Sequence, residues 1–372
     1  MEHITYVFGS GREKKIDSNS AYSTDFLYGY DFFNKKNYQL HYITPLINQN
    51  LFLSLIEKVF RKISNLPFYF SSYLSFKNIK TLFSSKVLVL TNDPIALSLL
   101  PVLIFYKLFR RGKIVVIVMG LLSKPKQNKT IRAVQSFFIK LLFTISHRLI
   151  FLGKKEKLQA DSKYQKFNKK FFYLPFCIDS AFWRKEDVEK TYDLIFVGND
   201  GNRDYEFLVQ LIKELSNLKI LVISNNQSLK NFFSKNNYEN VDFKQGSLGE
   251  SKITDAELRT LYSKSKISLV PLKETVQPSG QSVSLQSLSV GLPVLISDVS
   301  GNWFHGENID EQFLQIMQLN KTDLWINKIM IILKDFVKYE VDSKNIEEFI
   351  FKNLNKQRFD NLLHSIIFDE MS

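Results

Sequence analysis

Three polar segments in the second half of the chain carry residue types that suit an anionic ligand. The first is Gly198-Asn199-Asp200-Gly201-Asn202-Arg203-Asp204, directly after the apolar run YDLIFV. Its glycines allow close backbone approach, and Arg203 has the planar fork that grips phosphate. It also reads as an ordinary polar turn with Asp204 capping the next helix. The second segment, Lys273 to Ser282 (KETVQPSGQS), leads from a strand into a helix. There Ser279 and Gly280 precede amides of Gln281, Ser282 and Val283 that no earlier turn can pair. With the helix dipole those amides form an anion site, to which Lys273 adds a charge. A serine-rich capped helix is the alternative. The third feature is Gln286, one turn further on, where an amide side chain can reach a ribose beside a bound phosphate.

The elements around these segments alternate. Strands are expected at Tyr192–Val197, Lys219–Ser224, Val241–Lys244, Ile267–Leu272 and Val294–Ser297. Helical spacing appears at Phe207, Leu208, Leu211, Ile212 and Leu215, a capping box at Thr254 and Glu257, and a helix over Gln281–Val290 stopped by Gly291 and Pro293. Alternation of this kind implies right-handed βαβ crossovers and a parallel sheet covered on both faces. Ligands of such sheets lie beyond the carboxyl ends of the strands, which is where all three segments fall. The first half repeats the theme, with strands expected at Ile4–Phe8, Gln39–Ile43, Val87–Leu90, Ile114–Val118 and Leu149–Leu152, and an ambiguous stretch from Leu46 to Phe83. Beyond Gly306 the spacing of Phe313, Ile316 and Met317 reads as helical.

The chain has 372 residues and a formal charge of +13, from 50 Lys+Arg against 37 Asp+Glu. Two domains fit that length. The charge excess favours polyanionic partners, or reflects a lysine-rich solvated surface. The one cysteine, Cys177, excludes an internal disulfide and a multi-cysteine metal site. The five histidines (His3, His41, His147, His305 and His364) are scattered and read as structural or surface residues, so no metal site is expected. The start MEHITYVFGSGREKK predicts no signal peptide, and the apolar stretch Ile95–Phe109 falls short of the roughly 20 residues a spanning helix needs. A cytoplasmic protein is expected, with possible contact at the inner face of the membrane. The interleaved apolar and basic residues of Phe105–Arg111 and Phe137–Phe143 would make that contact, unless they form the domain core.

Residues Tyr192 to Trp303 resemble the nucleotide-sugar domain of GT-B fold glycosyltransferases. The resemblance is closest to the large retaining group-1 family, which includes many bacterial polysaccharide and lipopolysaccharide enzymes. It rests on IFVGNDGNRDY, LRTLYSKSKISLVPL and QPSGQSVSLQSLSVGLPVLISDVSG, and on Tyr173–Asp179 with Phe182, which resembles that family's interdomain connection.

The resemblance implies two doubly wound Rossmann-like domains facing a cleft, with C-terminal helices. The domains are expected at 1–175 and 191–340, joined by a linker at 176–190, with helices over 341–372 expected to pack back on the first domain. It implies transfer of a sugar from a nucleoside diphosphate sugar to a hydroxyl of a growing cell-surface glycan or lipid-linked acceptor. No cofactor, metal or nucleic-acid partner is implied. The donor side would comprise Gly198, Asn199, Arg203, Lys273, Glu274, Ser279, Gly280, Gln281, Ser282, Val283 and Gln286, with Arg203 stabilising the leaving diphosphate. The family places two glutamates on the donor. Gln286 stands at the second, and Glu274 and Gln277 are nearest to the first. The acceptor side would involve Gly9, Ser10, Gly11 and Arg12, the stretch Tyr22 to Asp31, and Asn92-Asp93, with Asp25 and Asp93 as candidate general bases. A nucleotide-sugar epimerase on the same fold, or a non-enzymatic polyanion-binding protein, are the alternatives.

Overall fold

The computed structural model describes residues 2–17, 21–47, 50–123, 128–236, 238–246, 253–304, 313–342, 345, 348, 350, 352 and 354–369. His305 therefore lies outside the described residues. The chain divides into two compact units. Unit 1 comprises Met1–Asp17, Phe26–Pro175 and Asp360–Ser372; unit 2 comprises Ser18–Asp25 and Phe176–Phe359.

Unit 1 runs β1 (His3–Val7), α1 (Arg12–Asp17), α2 (Tyr30–Lys35), β2 (Gln39–Ile43), α3 (Leu51–Ser64), α4 (Phe70–Tyr73), α5 (Phe76–Ser84), β3 (Val87–Leu90), α6 (Asp93–Arg110), β4 (Lys113–Val118), α7 (Lys129–Ile145), β5 (Arg148–Phe151), α8 (Lys154–Lys163) and β6 (Phe171–Tyr173). The strands form one parallel sheet in the order β2-β1-β3-β4-β5-β6. Runs such as VLVL and IVVIV are apolar at successive positions because helices cover both faces of the sheet. The ambiguous stretch from Leu46 to Phe83 resolves into α3, α4 and α5, and β6 is a strand the sequence pattern did not show. From Asp360 onward the C-terminal helix Lys356–Phe368 belongs to this unit, and Asp369 meets Lys113, His147 and Arg148.

Unit 2 runs β7 (Tyr192–Val197), α9 (Tyr205–Glu214), β8 (Ile220–Ile223), α10 (Gln227–Lys235), β9 (Val241–Lys244), α11 (Asp255–Ser263), β10 (Ser265–Val270), α12 (Gln281–Ser289), β11 (Val294–Ser297), β12 (Leu314–Met317), α13 (Thr322–Lys334) and α14 (Phe336–Tyr339). Its sheet is also wholly parallel, ordered β12-β11-β10-β7-β8-β9. Both units are thus doubly wound, as expected. The helical reading beyond Gly306 is corrected at 314–317. There Leu314 pairs with Val294 and Met317 with Ser297, adding a sixth strand at the sheet edge. Four residues are too few for a two-residue period to outcompete a helical one.

The stretch expected as a linker is built into unit 2, with Phe176, Cys177, Ile178 and Trp183 all buried. At its end, the Lys190 ammonium donates to the Ser265 carbonyl at 2.9 Å and lies 3.7 Å from Glu340. Burial pushes its pKa down to about 8, against the opposing pull of Glu340. Between about pH 8 and the ordinary value near 10.5, the unfolded chain holds a proton that the folded one has released. Stability should therefore rise with pH through that window. Subtracting the melting curve of Lys190→Met isolates the effect, since Lys185 still pairs with Glu340 at 2.9 Å. Parallel pH profiles for the two proteins would refute it.

Candidate functional site

Strand order decides where the first two polar segments meet. In unit 2, β7 and β10 are neighbours whose following connections leave in opposite directions across the sheet, which makes their carboxyl ends the crevice of the fold. The 198–204 loop follows β7 and the 271–280 segment follows β10. They are stitched together by an antiparallel bridge between Arg203 and Leu272. The Asp204 N–H donates to the Pro271 carbonyl at 3.0 Å and the Lys273 N–H to the Asn202 carbonyl at 2.8 Å. The Asn202 Nδ2 donates to Ser279 Oγ, also at 2.8 Å. Asp204 caps α9, accepting from the Phe207 N–H, as an ordinary polar turn would have it.

Arg203 folds back into this junction and is only 3% exposed. A side chain at Gly198 would collide with it, because a Cβ there would sit 2.5 Å from Arg203 Nε. The guanidinium lies 3.1 Å from Asp200 Oδ2, an ion-pair distance. Its N–H bonds are not aimed at that oxygen, however, and Nε and Nη1 have no hydrogen-bond acceptor. A buried cation with two unused donors is costly unless something completes it. On its other side Nη1 faces Gly280, 3.6 Å from where a Cβ would be. Gly280 holds the left-handed conformation (φ 74°) immediately before α12, and no side chain caps that helix. The first amides of α12 and the unused guanidinium N–H groups therefore share one corner. Gln281 is buried there too, with its Nε2 unpaired. The arrangement sets a fixed cation beside a helix N-terminus, a combination that can receive an anion.

Gln286 is buried one turn along α12, and its Nε2 donates to Asp25 Oδ2 at 3.4 Å. Lys273 and Glu274 are exposed beside the junction. Glu274 Oε1 accepts from the Ser300 N–H at 3.1 Å, tying the β10 and β11 loops together. Asn199 Oδ1 accepts from the Asn225 N–H, linking the β7 and β8 loops.

Asp25 departs from expectation. It belongs to unit 2, where it is 1% exposed. Its carboxylate accepts from Trp183 Nε1 at 2.6 Å, from Ser23 Oγ at 3.3 Å, from the Asp179 N–H and from Gln286. A general base needs a lone pair open to substrate. This carboxylate is committed to protein donors and acts as a brace. Its neighbours anchor the same segment: Ser23 bonds Asp255 through both N–H and Oγ, and Thr24 Oγ1 donates to Asp179 at 2.6 Å. Nothing in the local sequence signals so distant a partnership. Asp179 and Trp183, which complete the network, were not among the candidate site residues.

In unit 1 the corresponding crevice lies at the carboxyl ends of β1 and β3, again neighbours at a reversal of strand order. Gly9 to Arg12 follow β1, while Asn92 and Asp93 follow β3. A Cβ on Gly9 would lie 3.9 Å from Asn92 Nδ2, so the two loops adjoin. Ser10 is exposed, Gly11 is buried in the left-handed region (φ 80°), and the Arg12 guanidinium sits 4.5 Å over the Phe26 ring. Asn92 caps α6, and buried Asp93 accepts from the Met119 N–H at 3.0 Å. A further buried acid, Glu156, accepts from the N–H groups of Gly120 and Leu122, both at 2.9 Å. It sits in KKEKLQ, a stretch that reads as a solvated helix face.

Among the described residues no three His, Cys, Asp or Glu side chains converge as a metal set would, and no helix is long and apolar enough to cross a membrane. The two segments expected at a membrane divide. Tyr106, Ile139, Leu142 and Phe143 are core, while Phe105, Leu108, Phe109 and Phe137 are exposed.

No known protein family matches the sequence, and no curated protein matches it either. Solved structures do match in shape. Sucrose-phosphate synthase from Thermosynechococcus elongatus superposes with a TM-score of 0.67 at 13% identity, over 100% of each chain. HepE from Anabaena, solved in complex with UDP-glucose, gives 0.68 at 11% identity, over 99% of this chain and 100% of that one. A Listeria monocytogenes protein assigned as a UDP-N-acetylglucosamine 2-epimerase gives 0.53 at 11% identity, over 100% and 97%. The chain has the GT-B fold.

Proposed function

We propose that this protein is a glycosyltransferase whose second unit binds a nucleoside diphosphate sugar at the junction of the β7 and β10 loops. One observation carries the reading: the buried Arg203 guanidinium with unused Nε and Nη1 donors, set beside the uncapped start of α12. A diphosphate is the ligand that satisfies both at once. The shape shared with HepE, which was solved with UDP-glucose, supports a nucleotide-sugar donor.

In the reaction proposed, the bond from the anomeric carbon to the diphosphate breaks and a bond to an acceptor hydroxyl oxygen forms. Negative charge builds on the departing β-phosphate, and in this reading Arg203 and the amides of Gln281, Ser282 and Val283 stabilise it. Preorganised donors of this kind need no reorganisation as the charge develops. The Gln286 amide gives its Nε2 to Asp25, and in this reading its carbonyl oxygen is the acceptor for a ribose hydroxyl. Lys273 and Glu274 flank the entry. In unit 1 the Gly9–Arg12 and Asn92-Asp93 loops serve the acceptor, with buried Asp93 holding the Met119 N–H beside them. The acceptor proposed is a hydroxyl of a cell-surface glycan or lipid-linked intermediate at the inner face of the membrane. Transfer proceeds with retention, as in the family the sequence resembles, and in this reading the guanidinium and helix amides supply the charge that a metal supplies elsewhere.

The test is a thermal-shift screen with UDP-, GDP-, ADP- and TDP-sugars and their free nucleotides. A ligand at about 100 times its Kd should stabilise by about 2.7 kcal/mol, so one nucleotide series should raise the melting temperature and thereby name the base. No shift with any nucleotide at millimolar concentration would remove the donor site. Conversion of the donor sugar without release of nucleotide would reassign the protein as an epimerase.

A further inference from the structure

We infer that α3 of unit 1 is a docking surface for an anionic lipid bilayer. The helix is apolar on two sides. Its inner side sends Leu53, Ile56 and Phe60 onto the core of the unit. Its outer side presents Leu51, Phe52, Leu55, Val59 and Ile63, each between 47% and 83% exposed. Residues 51, 55, 59 and 63 recur every four positions, so they form one stripe roughly 18 Å long at 1.5 Å per residue. Scattered apolar residues on a surface need no explanation, but five large ones aligned on a single helix mark an interaction site.

Charge identifies the occupant. Lys58 and Lys62 are exposed alongside the stripe. The only acid of the helix, Glu57, is turned inward and buried, accepting from the N–H and Oγ of Ser71 at 3.0 Å. An apolar stripe edged by lysines and free of carboxylates is complementary to lipid tails beneath anionic head groups. A second copy of a chain carrying +13 would set these lysines against their own kind. The neighbouring helix extends the surface. Phe138 of α7 packs on Phe60 with ring centroids 5.8 Å apart, and beside it Phe137 is exposed. With 14 residues α3 falls short of the roughly 20 needed to span a bilayer, so it lies in the interface plane. None of these residues belongs to the donor site, and the inference stands independently of it.

Co-sedimentation of the full chain with vesicles tests it, comparing phosphatidylcholine alone with phosphatidylcholine containing roughly one-third phosphatidylglycerol. The wild type should pellet with the anionic vesicles and remain in solution with the neutral ones. Leu55→Glu/Val59→Glu should lower partitioning by at least about ten-fold. Lys58→Gln/Lys62→Gln should lower it roughly five-fold per lysine and weaken its dependence on salt. Both variants alter exposed side chains and should keep the wild-type melting temperature and any nucleotide-induced shift. Binding to neither vesicle, or undiminished binding by the glutamate variant, would overturn the inference. So would sedimentation velocity that finds a dimer dispersed by the same substitutions without lipid.

Discussion

Arg203→Met should abolish nucleotide-induced stabilisation and cut glycosyl transfer by roughly 10²–10³-fold, the usual effect of losing one oriented donor to developing charge. In the absence of ligand the same variant should melt at or above the wild-type temperature. The two halves of this expectation share one cause. Arg203 is buried with two N–H donors unused, and its contact with Asp200 is an ion pair without a hydrogen bond. An incompletely satisfied buried charge often destabilises relative to an apolar residue of similar volume. Methionine keeps the packing against Gly198 and removes the unsatisfied donors. The backbone bridge to Leu272 does not depend on the side chain. Arg203→Lys restores the charge without the fork and should recover only part of the affinity. Melting curves with and without nucleotide, together with transfer rates, measure all of this. A stability loss with unchanged nucleotide binding would make Arg203 a structural residue.

Asp25→Ala is expected to act in the opposite sense, destabilising the fold by about 3–5 kcal/mol, the range for breaking a buried charged network by removing one partner. It strands the Nε1–H of Trp183, which is fully buried, along with the Asp179 N–H and the Gln286 Nε2. Asp25→Asn replaces one of the two accepting oxygens by an NH2 group that faces donors, and should lose a large part of the same stability. Were Asp25 a general base instead, Asp25→Asn would abolish turnover with little change in a urea or guanidinium midpoint. A loss below about 1 kcal/mol in Asp25→Ala would contradict the bracing role.

The difference between these two residues shows what could be read from the sequence. The loop that carries Arg203 and the start of α12 were legible as elements because each signal is local: a glycine-bearing loop after an apolar strand, and Ser279-Gly280 ahead of a helix. The alternation of strands and helices in unit 2 was legible for the same reason. The bracing contacts of Asp25 were not legible because its partners are 154 to 261 residues away, at Asp179, Trp183 and Gln286. Placing the segment that holds it in the second unit required tertiary contacts that no pattern of neighbours encodes. Glu156 was hidden by its lysine neighbours, although the groups it serves are the N–H groups of Gly120 and Leu122. The outer stripe of α3 was hidden in another way. Its apolar residues form one broad face, and no pattern of neighbours says which part of that face the core covers. The edge strand β12 was lost to its brevity.

The most direct test of the central claim is a crystal structure of the protein with UDP, or with the nucleoside diphosphate that thermal shift selects. The account predicts the β-phosphate against the Arg203 Nε and Nη1 donors and within hydrogen-bonding distance of the Ser282 and Val283 amides. The ribose should lie beside Gln286. A diphosphate bound elsewhere, with the Arg203 donors still unused, would contradict it.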